Sequence, residues 1–334
     1  MSDVPTPHSR RQFFGKLAQG AVAFGAAPGA VFSATNPFAY DVSRFGRTDP
    51  AMIGWEEISR RTTPLPEARR IAIGAGNIVH VAAGSEIVRW KTDGALPSLK
   101  AGAMVTCLAL PRDELVFAGL RDRIVSFDTE GRARVIWQAE NDGSWFSGLA
   151  VSEHDIWIAD SGLRVIWHCD RAGKVLGRVG QKDRERDRAG LVVPSPFLDV
   201  RLHPDGLLRV NNPGRHRVEA YTPEGDLEFT WGKPTAAVPG FCGCCNPIAL
   251  AILPDGRIVT AEKGLPRVKV YASDGTFESV VAGTETFAEN VRRCGNASDC
   301  TRGGLDVAVD SEGRIHILDR VTGEVRVMRP KARA

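Results

Sequence analysis

The 334-residue chain lacks most of the patterns that would reveal a function directly. It has no polybasic run with interleaved aromatic residues, and its net charge is only +3, so we do not expect nucleic acid as a partner. No Gly-x-Ser-x-Gly elbow, phosphate-binding glycine loop or His-Glu-x-x-His motif occurs. Long helical periodicities are scarce, whereas glycine (35) and proline (20) are abundant. These features indicate many short strands joined by turns.

The chain also lacks an apolar run that would span a membrane comfortably. The most apolar stretch near its start, from Leu17 to about Phe32, is short and weakly hydrophobic. It follows "SRRQFF", which contains Arg10 and Arg11 and is similar to the bacterial twin-arginine export signal, with Phe14 where leucine is usual. We therefore expect no transmembrane domain beyond a signal segment that is either cleaved or retained as an anchor.

This resemblance implies a cellular location. Residues 1–35 are identified as the export signal and residues 36–334 as the folded domain. The twin-arginine route carries proteins that have already folded, often around a cofactor. It delivers them to the bacterial periplasm, an oxidising compartment in which disulfides form.

Beyond residue 70 the sequence repeats itself. Residues 148–180, 249–283 and 304–328 each show an apolar strand, a polar turn, a second strand ending in an acidic residue, and a third strand, and weaker copies precede and separate them. Successive second strands end 36 to 57 residues apart, at Ala83, Gly119, Asp160, Asn212, Glu262 and Asp319. This period predicts four-stranded propeller blades, six in number.

The sixth unit stops after three strands, which raises the question of how the ring closes. Residues 40–51, "YDVSRFGRTDPA", look like the outer strands of other units, so we expect them to complete the last blade and leave no open edge. The pattern resembles the NHL-repeat family, best at residues 156–170 and over residues 40–330 as a whole. The resemblance implies an all-β, six-bladed propeller but not one function, because such propellers serve as binding platforms, lyases and hydrolases.

Four polar side chains occupy equivalent places at the ends of second strands, where the loops surround the mouth of the channel: Asp160, Asn212, Glu262 and Asp319. Together they could hold a hard cation such as calcium. Alternatively, each ties down its own loop or pairs with a following arginine. Propellers similar to gluconolactonase use a channel metal held by Glu, Asn and Asp, so the resemblance makes a metal-dependent hydrolase or lyase one candidate function.

Five of the seven cysteines fall outside the predicted strands, in two connections between blades that emerge on the same face. They are Cys242, Cys244, Cys245, Cys294 and Cys300. Their spacing, Cys-x-Cys-Cys and then Cys-x5-Cys, matches no standard zinc or ferredoxin motif. Two interpretations stay open: the thiols bind a transition metal or an iron–sulfur cluster, or they form disulfides such as Cys294–Cys300.

These patterns leave three functions. In the first, an exported propeller carries a cysteine site for a metal or cluster and serves periplasmic redox chemistry or partner binding. The second is the propeller hydrolase or lyase, and the third is an interaction scaffold with structural disulfides. We expect the partner to be a periplasmic protein or a small ligand that binds the cysteine-bearing face.

The export signal can be tested by replacing Arg10 and Arg11 together with lysine. Because the twin-arginine receptor recognises the pair itself and not only its charge, the variant should stay in the cytoplasm. Cell fractionation followed by immunoblotting measures this. Undiminished periplasmic protein in the double variant would show that another signal directs export.

Overall fold

A computed structural model describes residues 45–111, 115–185, 188–293 and 303–332. The proposed signal segment with Arg10 and Arg11, residues 40–44, Cys294 and Cys300 lie outside the described residues. Within the described part of the chain, strands form six four-stranded antiparallel sheets. No helix there is long and apolar enough to cross a membrane.

The six sheets are the blades of a propeller, as the repeats predicted, and in each the first strand listed is innermost. Blade one contains β2 (Ala68–Ile73), β3 (Val79–Ala83), β4 (Glu86–Lys91) and β5 (Gly94–Lys100). Blade two contains β6 (Cys107–Ala109), β7 (Val116–Gly119), β8 (Arg123–Phe127) and β9 (Ala133–Gln138). Blade three contains β10 (Phe146–Val151), β11 (Asp155–Asp160), β12 (Val165–Asp170) and β13 (Val175–Val179).

The second half of the ring has the same plan. Blade four contains β14 (Val200–Leu202), β15 (Leu208–Asn212), β16 (Arg217–Tyr221) and β17 (Leu227–Trp231). Blade five contains β18 (Ala249–Ile252), β19 (Ile258–Ala261), β20 (Val268–Tyr271) and β21 (Phe277–Ala282). Blade six contains β22 (Leu305–Val309), β23 (Ile315–Asp319), β24 (Glu324–Pro330) and, as its outer strand, β1 (Trp55–Thr62).

Short helical segments interrupt the connections. Among the described residues, one α-helix, α1 (Ala288–Arg293), follows blade five. Single 3₁₀ turns lie at Pro50–Met52, Ala75–Asn77, Pro213–Arg215 and Thr284–Phe287.

The ring closes through an N-terminal strand, but not through the predicted residues. β1 pairs antiparallel with β24, from Trp55 opposite Pro330 to Thr62 opposite Glu324. Residues 48–53 instead lie beside blade five, where the backbone and hydroxyl of Thr48 both donate to Glu285 and the Gly54 amide donates to Val280. An N-terminal strand does close the ring, but the prediction that residues 40–51 form it was wrong, because the strand is Trp55–Thr62.

Charge explains why β1 was missed. All of its residues except Trp55 are exposed, so the strand lacks the apolar alternation that marks the other strands. Its contacts across to β24 are ion pairs instead: Arg326 with Glu57 at 2.9 Å and Arg329 with Glu56 at 2.8 Å. A strand with this composition also protects the outer edge of the blade from pairing with other chains.

The hydrophobic core is divided among the blade interfaces. Each of the six buried clusters joins two neighbouring blades, including Leu318 and Val325 of blade six with Ile71 and Val81 of blade one. Every blade therefore depends on both neighbours, and an incomplete ring would expose two apolar faces.

Trp55 should carry most of the closing strand's contribution to stability. It is 3% exposed, packs in the core between blades five and six, and donates its indole N–H to Ser279 Oγ at 3.2 Å. Replacing it with alanine should lower the free energy of unfolding by about 3–5 kcal/mol. The control is Ile58→Ala on the same strand, 40% exposed, with an expected change within about 0.5 kcal/mol. Equal effects in urea denaturation would contradict this assignment of the burial.

Candidate functional site

The candidate site lies on the face where second strands end and connections pass from blade to blade, here called the upper face. Residues 240–247, the cysteine loop, cross this face between β17 and β18. Several hydrogen bonds hold the loop to blade five. Among them, the Cys242 amide donates to Glu262 at 3.3 Å, and the Lys263 amide donates to Asn246 Oδ1 at 2.9 Å. The Asn246 amide also donates to Pro213 O of blade four at 3.1 Å.

Two of the three cysteines in the loop meet. Cys244 is exposed and Cys245 is buried, and their sulfurs are 3.4 Å apart. Cys245 Sγ also lies 3.0 Å from Ser195 Oγ, which comes from the connection between blades three and four. Ser195 in turn accepts a hydrogen bond from Lys263 Nζ at 3.4 Å.

The third cysteine of the loop has different surroundings. Cys242 is buried near Lys269. Burial lowers the pKa of Lys269 to about 8, while the negative charge of Glu262 at 2.8 Å, with a weaker contribution from Cys242, acts in the opposite direction. The described residues therefore show a pair of thiols, whereas the predicted group of five also requires Cys294 and Cys300 from outside them.

The remaining two cysteines are structural. Cys107 and Cys169 lie on β6 and β12 and pack in the core between blades two and three. Burial raises the pKa of both thiols to about 12. Since the thiolate is the reactive form, the raised pKa and the burial favour a structural role for both thiols.

The acidic ladder, defined as Asp160, Asn212, Glu262 and Asp319, is buried and occupied by protein contacts. Asp160 accepts from the amides of Trp145, Gly162 and Leu163 at 2.9–3.1 Å and from the Trp167 indole at 3.1 Å. These four bonds fix the segment before β10, the loop after β11 and the neighbouring strand β12. The ladder position of blade three is therefore structural.

The other three members have similar roles. Asn212 accepts from the Val192 amide at 3.0 Å and donates to Glu219 at 2.9 Å. Asp319 accepts from Asn290 Nδ2 at 2.6 Å and from the Val321 amide at 2.9 Å. Glu262 pairs with Arg267 at 3.0 Å and Lys269 at 2.8 Å, and Arg267 is the following arginine that the sequence offered as the alternative partner.

The centre of the channel holds cations of the protein itself. Arg70 donates to Thr106 O at 2.8 Å and Ser147 O at 2.6 Å and pairs with Asp306 at 3.3 Å. Arg201 donates to Leu250 O at 2.7 Å and pairs with Asp199 at 3.1 Å. Burial raises the pKa of Asp199, against the opposing charges of Arg201 and Arg70.

These observations test the metal that a gluconolactonase-like site would need. Within the described ranges, no three or more His, Cys, Asp or Glu side chains form a group that could hold a metal ion. The channel carboxylates are paired with guanidinium groups and the ladder oxygens with protein donors. The residues present therefore do not fit a calcium ion in the channel.

Several residues of this face were missed by sequence reasoning. Four of them lie in connections and loops, where the repeat pattern does not predict which residues of different blades are equivalent: Ser195, Phe197, Lys263 and Arg320. The axial carboxylates did leave a signal: Leu-Asp-Val occurs at both residues 198–200 and residues 305–307, at equivalent places in blades four and six. Aligning the sequences of the inner strands with one another would have revealed this repeated Asp.

A cavity of about 1000 Å³ on the upper face was also missed. It lies between blades two and three, and its lining includes Trp137, Trp167, Arg164 and Arg178. The Arg178 guanidinium stacks on Trp167, with its carbon 4.2 Å from the ring centroid. No thiol lines this cavity, so it is separate from the cysteine loop.

Comparison with known proteins supports the architecture. No family model and no curated protein matches the chain. Among solved structures, a Staphylococcus aureus virginiamycin B lyase with quinupristin is similar at 12% identity and a TM-score of 0.57, over 80% of this chain and 82% of that one. A gluconolactonase from Xanthomonas campestris is similar at 18% identity and a TM-score of 0.57, over 81% and 88%. At these identities the similarity shows the fold alone.

The different surroundings of the cysteines predict an order of alkylation. In reduced, folded protein at pH 8, iodoacetamide should label Cys244 first because its thiol is exposed. Cys107 and Cys169 should react at least ~10³-fold more slowly, since a thiol with a pKa of about 12 is almost entirely protonated at that pH. Peptide mass spectrometry over a time course measures the order. Early labelling of Cys107 or Cys169 would contradict the burial described here.

Proposed function

We propose that this protein is an exported, periplasmic propeller whose upper face binds a soft metal ion through the thiolates of Cys244 and Cys245, in a system for redox chemistry or metal handling. The observation that carries the proposal is the 3.4 Å separation of the two sulfurs. Thiolates at 2.3 Å from one tetrahedral ion lie about 3.8 Å apart, so a shift of a few tenths of an ångström would suffice. Cys294 and Cys300 are the predicted source of further ligands.

The surroundings of the pair suit thiolate chemistry. Ser195 Oγ can donate to a deprotonated Cys245 sulfur, and the ammonium of Lys263 lies next to that hydroxyl. Positive charge near thiolates offsets their negative charge, as at many reactive cysteines. The exposed Cys244 gives a partner protein or an incoming ion access to the pair.

The alternative, a metal-dependent hydrolase or lyase, has weaker support. It rests on the similarity of fold to a lyase and a gluconolactonase. The axial arginines and the hydrogen-bonded ladder supply no open cation site for it within the described residues. The thiol pair needs no such site, so we place the chemistry at the cysteine loop.

Metal analysis of variants tests the proposal. Wild-type protein prepared from the periplasm without oxygen should contain about one metal equivalent per site, seen by elemental analysis and a thiolate absorption band. Cys244→Ser and Cys245→Ser should each lower the occupancy at least tenfold, because each removes one of a small set of ligands. Cys242→Ser and Cys169→Ser are the matched controls and should leave the metal content unchanged.

Other outcomes would overturn the proposal. Metal-free protein in which mass spectrometry finds the cysteines joined as disulfides would establish the scaffold function instead. A loss of metal in Cys242→Ser equal to that in Cys245→Ser would show that the ligands are not the pair defined here. Calcium-dependent turnover of a lactone, unaffected by either substitution, would favour the hydrolase.

A further inference from the structure

A second cavity opens on the upper face where the ring closes. It has a volume of about 470 Å³, within the range of small-molecule pockets. Residues 63–67, which lead from β1 into β2, form one wall, and residues 320–323, the loop after β23, form the other. Arg69 and Arg320 both line this cavity, which we call the seam pocket.

The two arginines form no ion pair with a described residue, unlike the neighbouring Arg70, which pairs with Asp306. Neither side chain forms an ion pair or donates a hydrogen bond to any described residue, and the Nε atom of each is buried without a partner. Arg70, the adjacent residue in sequence, has three acceptors within 3.3 Å. Buried donors are nearly always satisfied, so two buried Nε–H groups without a partner, both on arginines that line one cavity, point to an acceptor within that cavity.

Electrostatics point in the same direction. Burial, together with the nearby positive charges of Arg70 and Arg69, lowers the pKa of Arg320 to about 9, while the negative charge of Asp306 acts in the opposite direction. The contact of Arg320 with the Phe197 ring, 5.0 Å from its centroid, is a cation–π interaction and provides no negative charge. An anion in the pocket would relieve this repulsion.

The rest of the lining defines the kind of anion. Leu65, Pro64 and Pro66 form an apolar rim beside the arginines, which suits a hydrocarbon portion. Glu67 also lines the pocket, and its carboxylate would repel a second negative group. A guanidinium fork matches the two oxygens of a carboxylate.

We propose that the seam pocket binds the carboxylate of a small aliphatic monocarboxylic acid, held by Arg69 and Arg320. The site is independent of the thiol pair, because no cysteine lines the pocket. It is therefore a ligand site in addition to the metal function proposed above. Its occupant would lie at the seam between the first and last blades.

Calorimetric titration of the full chain with butyrate tests this, with butyramide as the uncharged match and succinate and inorganic phosphate as competing anions. Butyrate should bind at least tenfold more tightly than each of the others. Arg320→Gln and Arg69→Gln should each weaken butyrate binding at least tenfold. Arg134→Gln, an exposed arginine on β9, makes the same charge change elsewhere and should have no effect.

A gain of function keeps the test independent of folding defects. Glu67→Gln should strengthen succinate binding and reduce the ratio between the dissociation constants of succinate and butyrate, because the repelling charge is gone. Circular dichroism checks that each variant is folded; should Arg320→Gln unfold, Arg69→Gln and Glu67→Gln decide. Equal binding of butyrate and butyramide, unchanged binding in Arg69→Gln, or a preference for phosphate would each overturn the proposal. Cys244→Ser should bind butyrate normally, so failure of the thiol proposal would leave this result intact.

Discussion

Two arginines on the axis, Arg70 buried and Arg201 half-buried, hold the ring together from the inside. Arg70 on blade one reaches the inner strands or their approaches in blades two, three and six, and Arg201 on blade four reaches blades three and five. The paired carboxylates extend the pattern, because Asp306 accepts from the Ile71 amide and Asp199 from the Leu250 amide. All six blades are thereby joined through charged hydrogen bonds, which are stronger than neutral ones and costly to break when buried.

This arrangement determines where chemistry can occur. Guanidinium groups occupy the axis, and the polar residues that end the second strands are used to fix loops, as with Asp160 and Glu262. Neither set is open to a hard cation. The connections between blades are less constrained, and they carry the features that internal packing does not explain: the Cys244–Cys245 pair and the unpaired Arg69 and Arg320. Function on this fold is thus expected in its loops.

The repeats were sufficient to predict the fold because each blade buries both faces of its sheet against its two neighbours. The alternation of apolar residues that this burial requires occurs in all six repeats. The closing strand escaped prediction because β1 is held by ion pairs, such as Arg326 with Glu57, and buries only Trp55. The sequence places three cysteines in one loop, but it could not show that Cys242 lies apart from the other two. Side-chain direction in an irregular loop follows from tertiary contacts, which a periodic pattern does not encode.

The two proposed sites are connected through Phe197. Lys263 Nζ lies 4.6 Å from the centroid of its ring and the Arg320 guanidinium carbon 5.0 Å, so one aromatic ring supports a cation beside the thiols and a cation in the seam pocket. Lys263 follows β19 and Arg320 follows β23, so the two cations come from loops of neighbouring blades. Each cation faces its own site, and the ring between them fixes both without joining the ligands of the two sites.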